Sequence, residues 1–278
     1  MVGIPIYNGL KRSNLMVLLA VAFIIFATTG CGTLKNGQKW GEDAIYPVDF
    51  KRIPDAAYHA FFDLQTLIPT AGALVCTVDH YDQKVSKWAT SHHPIFGSKD
   101  SASQASDYLL YGLGAETLIT ALATPSGKDP KDWVYSKAKG VSVELGAELV
   151  NVGITSLLKN ATDRTRPDGE GKSFPSGHSS EAFSSATLSN RNLNSITMPE
   201  GVRMPLQIGN LLLATGVAWA RVEAGKHYPS DVLAGAALGH FLSAFIYDAF
   251  MGVSEDERLG LYVLPSKHGV MIGLSFGF

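Results

Sequence analysis

The chain has 278 residues, of which 46% are hydrophobic and 17% charged, with a formal net charge of −2, a pI of about 6.4 and a mean hydropathy of +0.09. The body holds no uninterrupted apolar runs of the roughly 20 residues that a membrane span needs, which excludes a protein of many spans. The charge balance gives a nucleic-acid partner no electrostatic support. The two cysteines, Cys31 and Cys76, are too few for a disulfide framework.

Residues 1–30 read as an export signal: Lys11-Arg12, an apolar run from Leu15 to Phe26, then the small residues Ala27-Thr28-Thr29-Gly30. The run stops at Cys31, which resembles the bacterial lipoprotein signal, where the cysteine becomes the lipid-modified first residue. Thr28 departs from that pattern, since a larger aliphatic is usual there. Gly32 is not the acidic residue associated with inner-membrane retention, so the expected place is the periplasmic side of a membrane, with the outer membrane preferred. Stable anchoring takes more than one acyl chain.

Residues 31–53, with Gly32, Gly37, Gly41, Glu42 and Asp43, read as a polar linker. A helical domain is expected over 54–254. Pro54-Asp55-Ala56-Ala57 marks a helix start, and Pro69 and Gly72 are expected to interrupt the stretch that follows. Cys76, in the apolar stretch 73–78, reads as a small buried hydrophobe. The stretch Ser91–Ser106 reads as a solvated loop. Its His92-His93 pair has no further ligands at short spacing, so no metal site is expected there.

Helices are predicted over 107–124, 138–159, 204–222 and 230–250. In the second, Glu144, Glu148 and Lys159 lie among apolar residues, which fits a helix of a globular bundle. The last two read as buried core helices, a dip into a membrane being the alternative. Gly209, Gly216, Gly235 and Gly239 suggest close helix packing there. The tail, 255–278, reads as a β-hairpin, with Leu259–Leu264 and Val270–Phe278 around a Pro265–Gly269 turn. One hairpin cannot close a barrel, so it suits a ribbon packed on the helical domain or on a partner.

Three short stretches carry the chemistry. Lys159 is followed at a distance by Arg166-Pro167. The ammonium offers a compact charge and the guanidinium a planar fork matched to phosphate oxygens. Arg164 is a plausible helper. Next, Pro175-Ser176-Gly177-His178 forms a turn before a helical run that begins at Ala182-Phe183. Backbone N–H groups at such a helix start favour an anion, Gly177 permits close approach, Ser176 adds a hydroxyl, and His178 can give up a proton near neutral pH. Last, Arg221 precedes His227 and Asp231. Pro229 suits a first helical turn. The spacing lets Asp231 accept from one imidazole nitrogen of His227 and leaves the other for nucleophilic attack.

Taken together, Lys-x6-Arg-Pro, Pro-Ser-Gly-His and Arg-x5-His-x3-Asp resemble the signature of the type 2 phosphatidic acid phosphatase (PAP2) and vanadium haloperoxidase superfamily. Ala220 stands where a Ser usually precedes the arginine. The resemblance covers roughly residues 159–231. It implies an all-α helical bundle and a phosphatase that needs no metal and no cofactor. In it Lys159, Arg166, Ser176, Gly177 and Arg221 bind the phosphate, and His227 attacks phosphorus to form a phosphohistidine. Asp231 orients that histidine, and His178 protonates the leaving oxygen. The expected substrate is a phosphomonoester or diphosphate, lipid-linked given the anchor and the apolar helices. The alternatives are a soluble-substrate acid phosphatase, a haloperoxidase holding vanadate in the same pocket, and an anchored lipoprotein without enzymatic activity.

Overall fold

The structure, a computed structural model, describes residues 30–44, 50, 52–251, 260–266 and 269–275. The expected export signal therefore lies outside the described residues except at Gly30, as do 252–259, 267–268 and 276–278 of the tail. The body is all-α. Its helices are α1 (Arg52–Phe62), α2 (Leu64–Cys76), α3 (Tyr81–His92), α4 (Lys99–Ala123), α5 (Pro130–Thr162), α6 (Gly177–Ser195), α7 (Glu200–Glu223) and α8 (Pro229–Phe250).

Caps set the ends of these helices, and they move several expected boundaries. The break near the start comes at Asp63, whose Oδ1 accepts from Gln65 N at 2.8 Å, and α2 then runs through Pro69 and Gly72 without interruption. Packing overrides the local cost of those residues, since Gly72 lies against Leu233 of α8. The expected loop over Ser91–Ser106 shrinks to 93–98, because Ser98 Oγ caps α4 by accepting from Ser101 N at 3.1 Å. Asp129 caps α5 through Lys131 N and Asp132 N, with Pro130 in its first turn, so this helix starts eight residues before the expected 138. Cys76 is partly exposed rather than buried.

The stretch expected as a linker is in part a piece of the core. Leu34, Trp40 and Ala44 are buried, and Trp40 Nε1 donates to Tyr247 Oη of α8 at 3.0 Å. Just upstream, Gly30 O accepts from Ser126 N at 3.0 Å, Gly32 O accepts from Gly127 N at 2.7 Å, and Gly30 lies against Trp133. Exposed Cys31 is thereby set beside the α4–α5 turn.

The centre of the bundle is the contact between α6 and α8. A Cβ on Gly235 would stand 2.5 Å from Ser176 O, and one on Gly239 would stand 2.0 Å from Ser180 O. Gly216 meets only Leu109 at 3.4 Å, and nothing lies within 4 Å of Gly209, so of these four glycines the α8 pair packs closely and the other two do not. Gly239→Ala is therefore expected to cost about 1–3 kcal/mol through forced separation of the two backbones, whereas Gly209→Ala should stabilise or leave unchanged. Thermal melts of the two variants check this.

The α5 helix is inverted relative to an ordinary surface helix. Lys137, Glu144, Asn151 and Thr155 are buried, while Leu145, Leu149 and Leu157 are 59%, 74% and 69% exposed. By length and composition α5 and α8 could each cross a membrane, although α8 is mostly buried inside the bundle.

Candidate active site

The three motifs come from four parts of the fold. Lys159 lies in the last turn of α5. The connection that follows folds back on itself through a bridge between Thr165 and Lys172, and Arg166 Nε donates to Lys172 O at 3.1 Å. Ser176 is the N-cap of α6, which therefore begins at Gly177, five residues before the expected Ala182. The buried Ser176 hydroxyl accepts from Ser179 N at 3.4 Å. A Cβ on Gly177 would point toward Glu181 and Lys159 at ordinary contact distance, so the bare backbone faces the lysine. Arg221 is in the last turn of α7. Gly225, at φ +71°, lets the chain turn so that His227 N donates to Arg221 O at 3.2 Å.

The cations converge. Lys159 is held below its ordinary pKa by burial first and then by Arg166, with Arg221 adding to the effect. Arg221 is likewise depressed by burial, with Asp107 opposing and Arg166 adding. Arg221 Nε is buried without a hydrogen-bond partner. Among the described residues none of Lys159, Arg166 and Arg221 is engaged in a salt bridge. Like charges gathered in this way repel unless an anion sits among them.

His227 is buried, 1% exposed. Burial pushes its imidazole down to about 4; Asp231 pulls the other way, and Lys159 and Arg221 add to the depression. It is neutral at pH 7, with a lone pair available. Its Nδ1 stands 3.8 Å from Asp231 Oδ2 and has no hydrogen-bond partner. The expected direct hydrogen bond to Asp231 is thus longer than a bond, because other donors hold that carboxylate. Arg164 Nη1 donates to Oδ1 at 2.8 Å, Tyr228 N donates to Oδ2 at 2.7 Å, and the Ser173 hydroxyl also donates to Oδ2. Burial works to raise the Asp231 pKa; His227, these donors and Arg164 outweigh it and hold the carboxyl below its ordinary value.

Three contributors were not singled out from the sequence. Asp82 of α3, buried, accepts from Arg164 Nη2 and from Ser230 N, each at 2.8 Å, so Arg164 bridges two buried carboxylates. The Arg164 guanidinium also lies 4.3 Å from the Tyr228 ring centroid. On α4, Ser106 Oγ accepts from Arg221 Nη1 at 3.1 Å, and Asp107 Oδ1 lies 2.8 Å from His178 Nε2. These residues are distant in sequence from the motifs and carry no local pattern; Arg164 alone signalled its part, by standing beside Arg166. The His92-His93 pair joins no cluster of three metal-binding side chains among the described residues.

The chain is similar to several known proteins. The chain is 36% identical over 144 residues to the lipid A 1-phosphatase of Porphyromonas gingivalis, covering 49% of this chain and 31% of that protein. It is 29% identical over 151 residues to the decaprenylphosphoryl-5-phosphoribose phosphatase of Mycobacterium tuberculosis, covering 51% of this chain and 72% of that protein. The chain thus spans about a third of the length of the first of these relatives. A crystal structure of a transmembrane PAP2 type phosphatidylglycerolphosphate phosphatase from Bacillus subtilis superimposes with a TM-score of 0.49 at 23% identity, over 69% of this chain and 93% of that one. The PAP2 superfamily model matches residues 143–254, the stretch that contains all three motifs.

Proposed function

We propose that the chain is a membrane-associated phosphatase that hydrolyses phosphomonoesters or diphosphates, lipid-linked ones by preference, through a phosphohistidine on His227. The observation that carries this reading is the cluster of Lys159, Arg166 and Arg221 around a buried, neutral His227. Phosphoryl transfer asks mainly for positioning and charge neutralisation, and three cations supply both. The relatives' names support a phosphorylated lipid-related substrate.

In this reading the phosphate oxygens lie among Lys159, Arg166 and Arg221, the Ser176 hydroxyl and the Gly177 N–H. Attack comes from His227 Nε2, since Nδ1 faces Asp231. Asp231 stabilises the positive charge that grows on the ring, and His178 protonates the leaving oxygen.

The exposed leucines of α5 support contact with lipid. We read Cys31 as the acylated end of the mature chain, on the periplasmic side, with the outer membrane preferred; loss of palmitate labelling in Cys31→Ser would support this. We read the tail 255–278 as a hairpin, supported by antiparallel backbone pairing of Leu261 with Leu274 and Val263 with Ile272.

The test is phosphate release by the purified full chain in micelles containing phosphatidic acid, phosphatidylglycerol phosphate, a polyprenyl diphosphate or lipid A, beside a soluble aryl phosphate. Release from a lipid phosphate supports the reading. Release from the soluble ester alone points to the acid-phosphatase alternative, and release from none overturns it.

A pH dependence follows from His227. Its proton must be absent for attack, so kcat/KM should fall as pH drops through about 4. Stability follows the same direction. The ordinary value of 6.5 applies to the unfolded chain, which takes up the proton first. The contribution of neutral His227 is therefore complete above 6.5 and is lost as pH falls from there toward 4. Urea midpoints across this window for wild type and His227→Gln check the sign, the variant showing the weaker dependence.

A further inference from the structure

The contact between Asp107 and His178 has no counterpart in the three motifs, and residue 107 lies outside the stretch that the superfamily model matches. It comes from α4, 71 residues upstream of the histidine. The same two-residue step of α4 serves both sides of the site: Ser106 Oγ accepts from Arg221, and Asp107 Oδ1 meets His178 Nε2 at 2.8 Å. With Nε2 engaged by a carboxylate, Nδ1 is the ring nitrogen left for a reacting oxygen.

We propose that Asp107 is the positioning residue of the proton donor: it holds His178 by Nε2–H and directs Nδ1–H at the leaving oxygen. The inference rests on the phosphatase reading above. In the first half-reaction the Nε2 lone pair of His227 forms the P–N bond. The P–O bond to the leaving group breaks, its electron pair stays on that oxygen, and the oxygen takes the proton from His178 Nδ1. His178 is left neutral, in the tautomer with hydrogen on Nε2. In the second half-reaction a water oxygen attacks phosphorus and gives its proton to Nδ1, and the P–N pair returns to His227. One carboxylate thus fixes the tautomer for both halves.

The electrostatics give Asp107 something to oppose. Burial first, then Arg221 of α7, and also Lys159 of α5 hold the His178 pKa below its ordinary value; Asp107 of α4 opposes them and limits the drop. Without Asp107 the histidine would lose its proton at lower pH.

The test compares wild type, Asp107→Asn and Asp107→Glu, as full chains in micelles, on two esters: p-nitrophenyl phosphate, whose leaving group departs without a proton, and a dialkylglycerol phosphate, whose alkoxide needs one. Asp107→Asn should lose on the order of 10²-fold in kcat/KM on the alkyl ester while the aryl ester is little changed. The alkaline limb of its pH profile should move down by about one unit. Asp107→Glu should restore most of the loss. Binding of inorganic phosphate by Asp107→Asn should be retained or tighter, since a carboxylate has left the surroundings of Arg221. An equal loss on both esters, an unmoved limb, or phosphate binding that is lost overturns the inference, even with an active wild type. A wild-type chain that hydrolyses neither ester overturns the phosphatase reading and this inference with it.

Discussion

His227→Ala is expected to reduce phosphate release by at least about 10⁴-fold, the scale seen when a nucleophile is removed from a catalytic unit whose members act together. The fold should survive. His227 Nδ1 makes no hydrogen bond, so its removal leaves no partner stranded, and the cost is a cavity beside Asp231. The three cations remain in place, so the variant should still bind inorganic phosphate. Alkaline quench of a single turnover with a radiolabelled ester should trap acid-labile, alkali-stable label in wild type and none in the variant. Turnover by His227→Ala within tenfold of wild type would remove the phosphohistidine from the reading.

Arg164→Ala is expected to be the most destabilising single change near the site. The guanidinium reaches Asp82 and Asp231 at 2.8 Å each, and both side chains are nearly inaccessible, 3% and 0% exposed. Its removal leaves two buried carboxylates facing each other without their shared cation, a loss of about 3–5 kcal/mol. At this chain length that corresponds to a drop of about 5–9 °C in Tm. Acidification should narrow the gap between variant and wild type, because protonating Asp231, whose carboxyl the intact site holds below its ordinary value, removes one stranded charge. Arg164→Lys should fall between, since an ammonium can serve one carboxylate but has no fork with which to span two. An Arg164→Ala chain that melts within about 2 °C of wild type would show that the bridge contributes little.

What was legible in the sequence follows the range of each interaction. The motif residues could be found because each stretch is local. Lys159 and Arg166 sit at one helix end, Ser176 and Gly177 at another helix start, and Asp231 in the first turn after His227. The bonds that orient these groups are long-range. Asp82 reaches Ser230 across 148 residues and Asp107 reaches His178 across 71, and neither acid stands in any spacing that a reader of the chain would mark. Helix ends were misread where a breaker was taken at face value. Pro69 is carried through α2 because packing on α8 outweighs one missing hydrogen bond, and Gly97-Ser98 caps a helix instead of widening a loop. Trp40 gave no sign that a Gly-rich polar segment is pinned into the core, since its partner Tyr247 is 207 residues away.

The seat of Gly30 against Trp133 has a consequence for posture. From Trp133 to Lys159 the α5 helix climbs 26 residues, about 39 Å at 1.5 Å per step. Cys31 and the cation cluster are therefore at opposite poles of the bundle, separated by nearly the full thickness of a bilayer with its headgroups, about 40–45 Å. A domain moored at Cys31 and standing upright would carry its site away from the leaflet that holds it. Reclining on the exposed Leu145, Leu149 and Leu157 flank brings both poles to one lipid surface. Were Cys31 acylated as proposed, that mooring point, set by two backbone hydrogen bonds at the α4–α5 turn, would sort the lipids within reach: those of the home leaflet if the bundle lies down, those of a facing membrane if it stands.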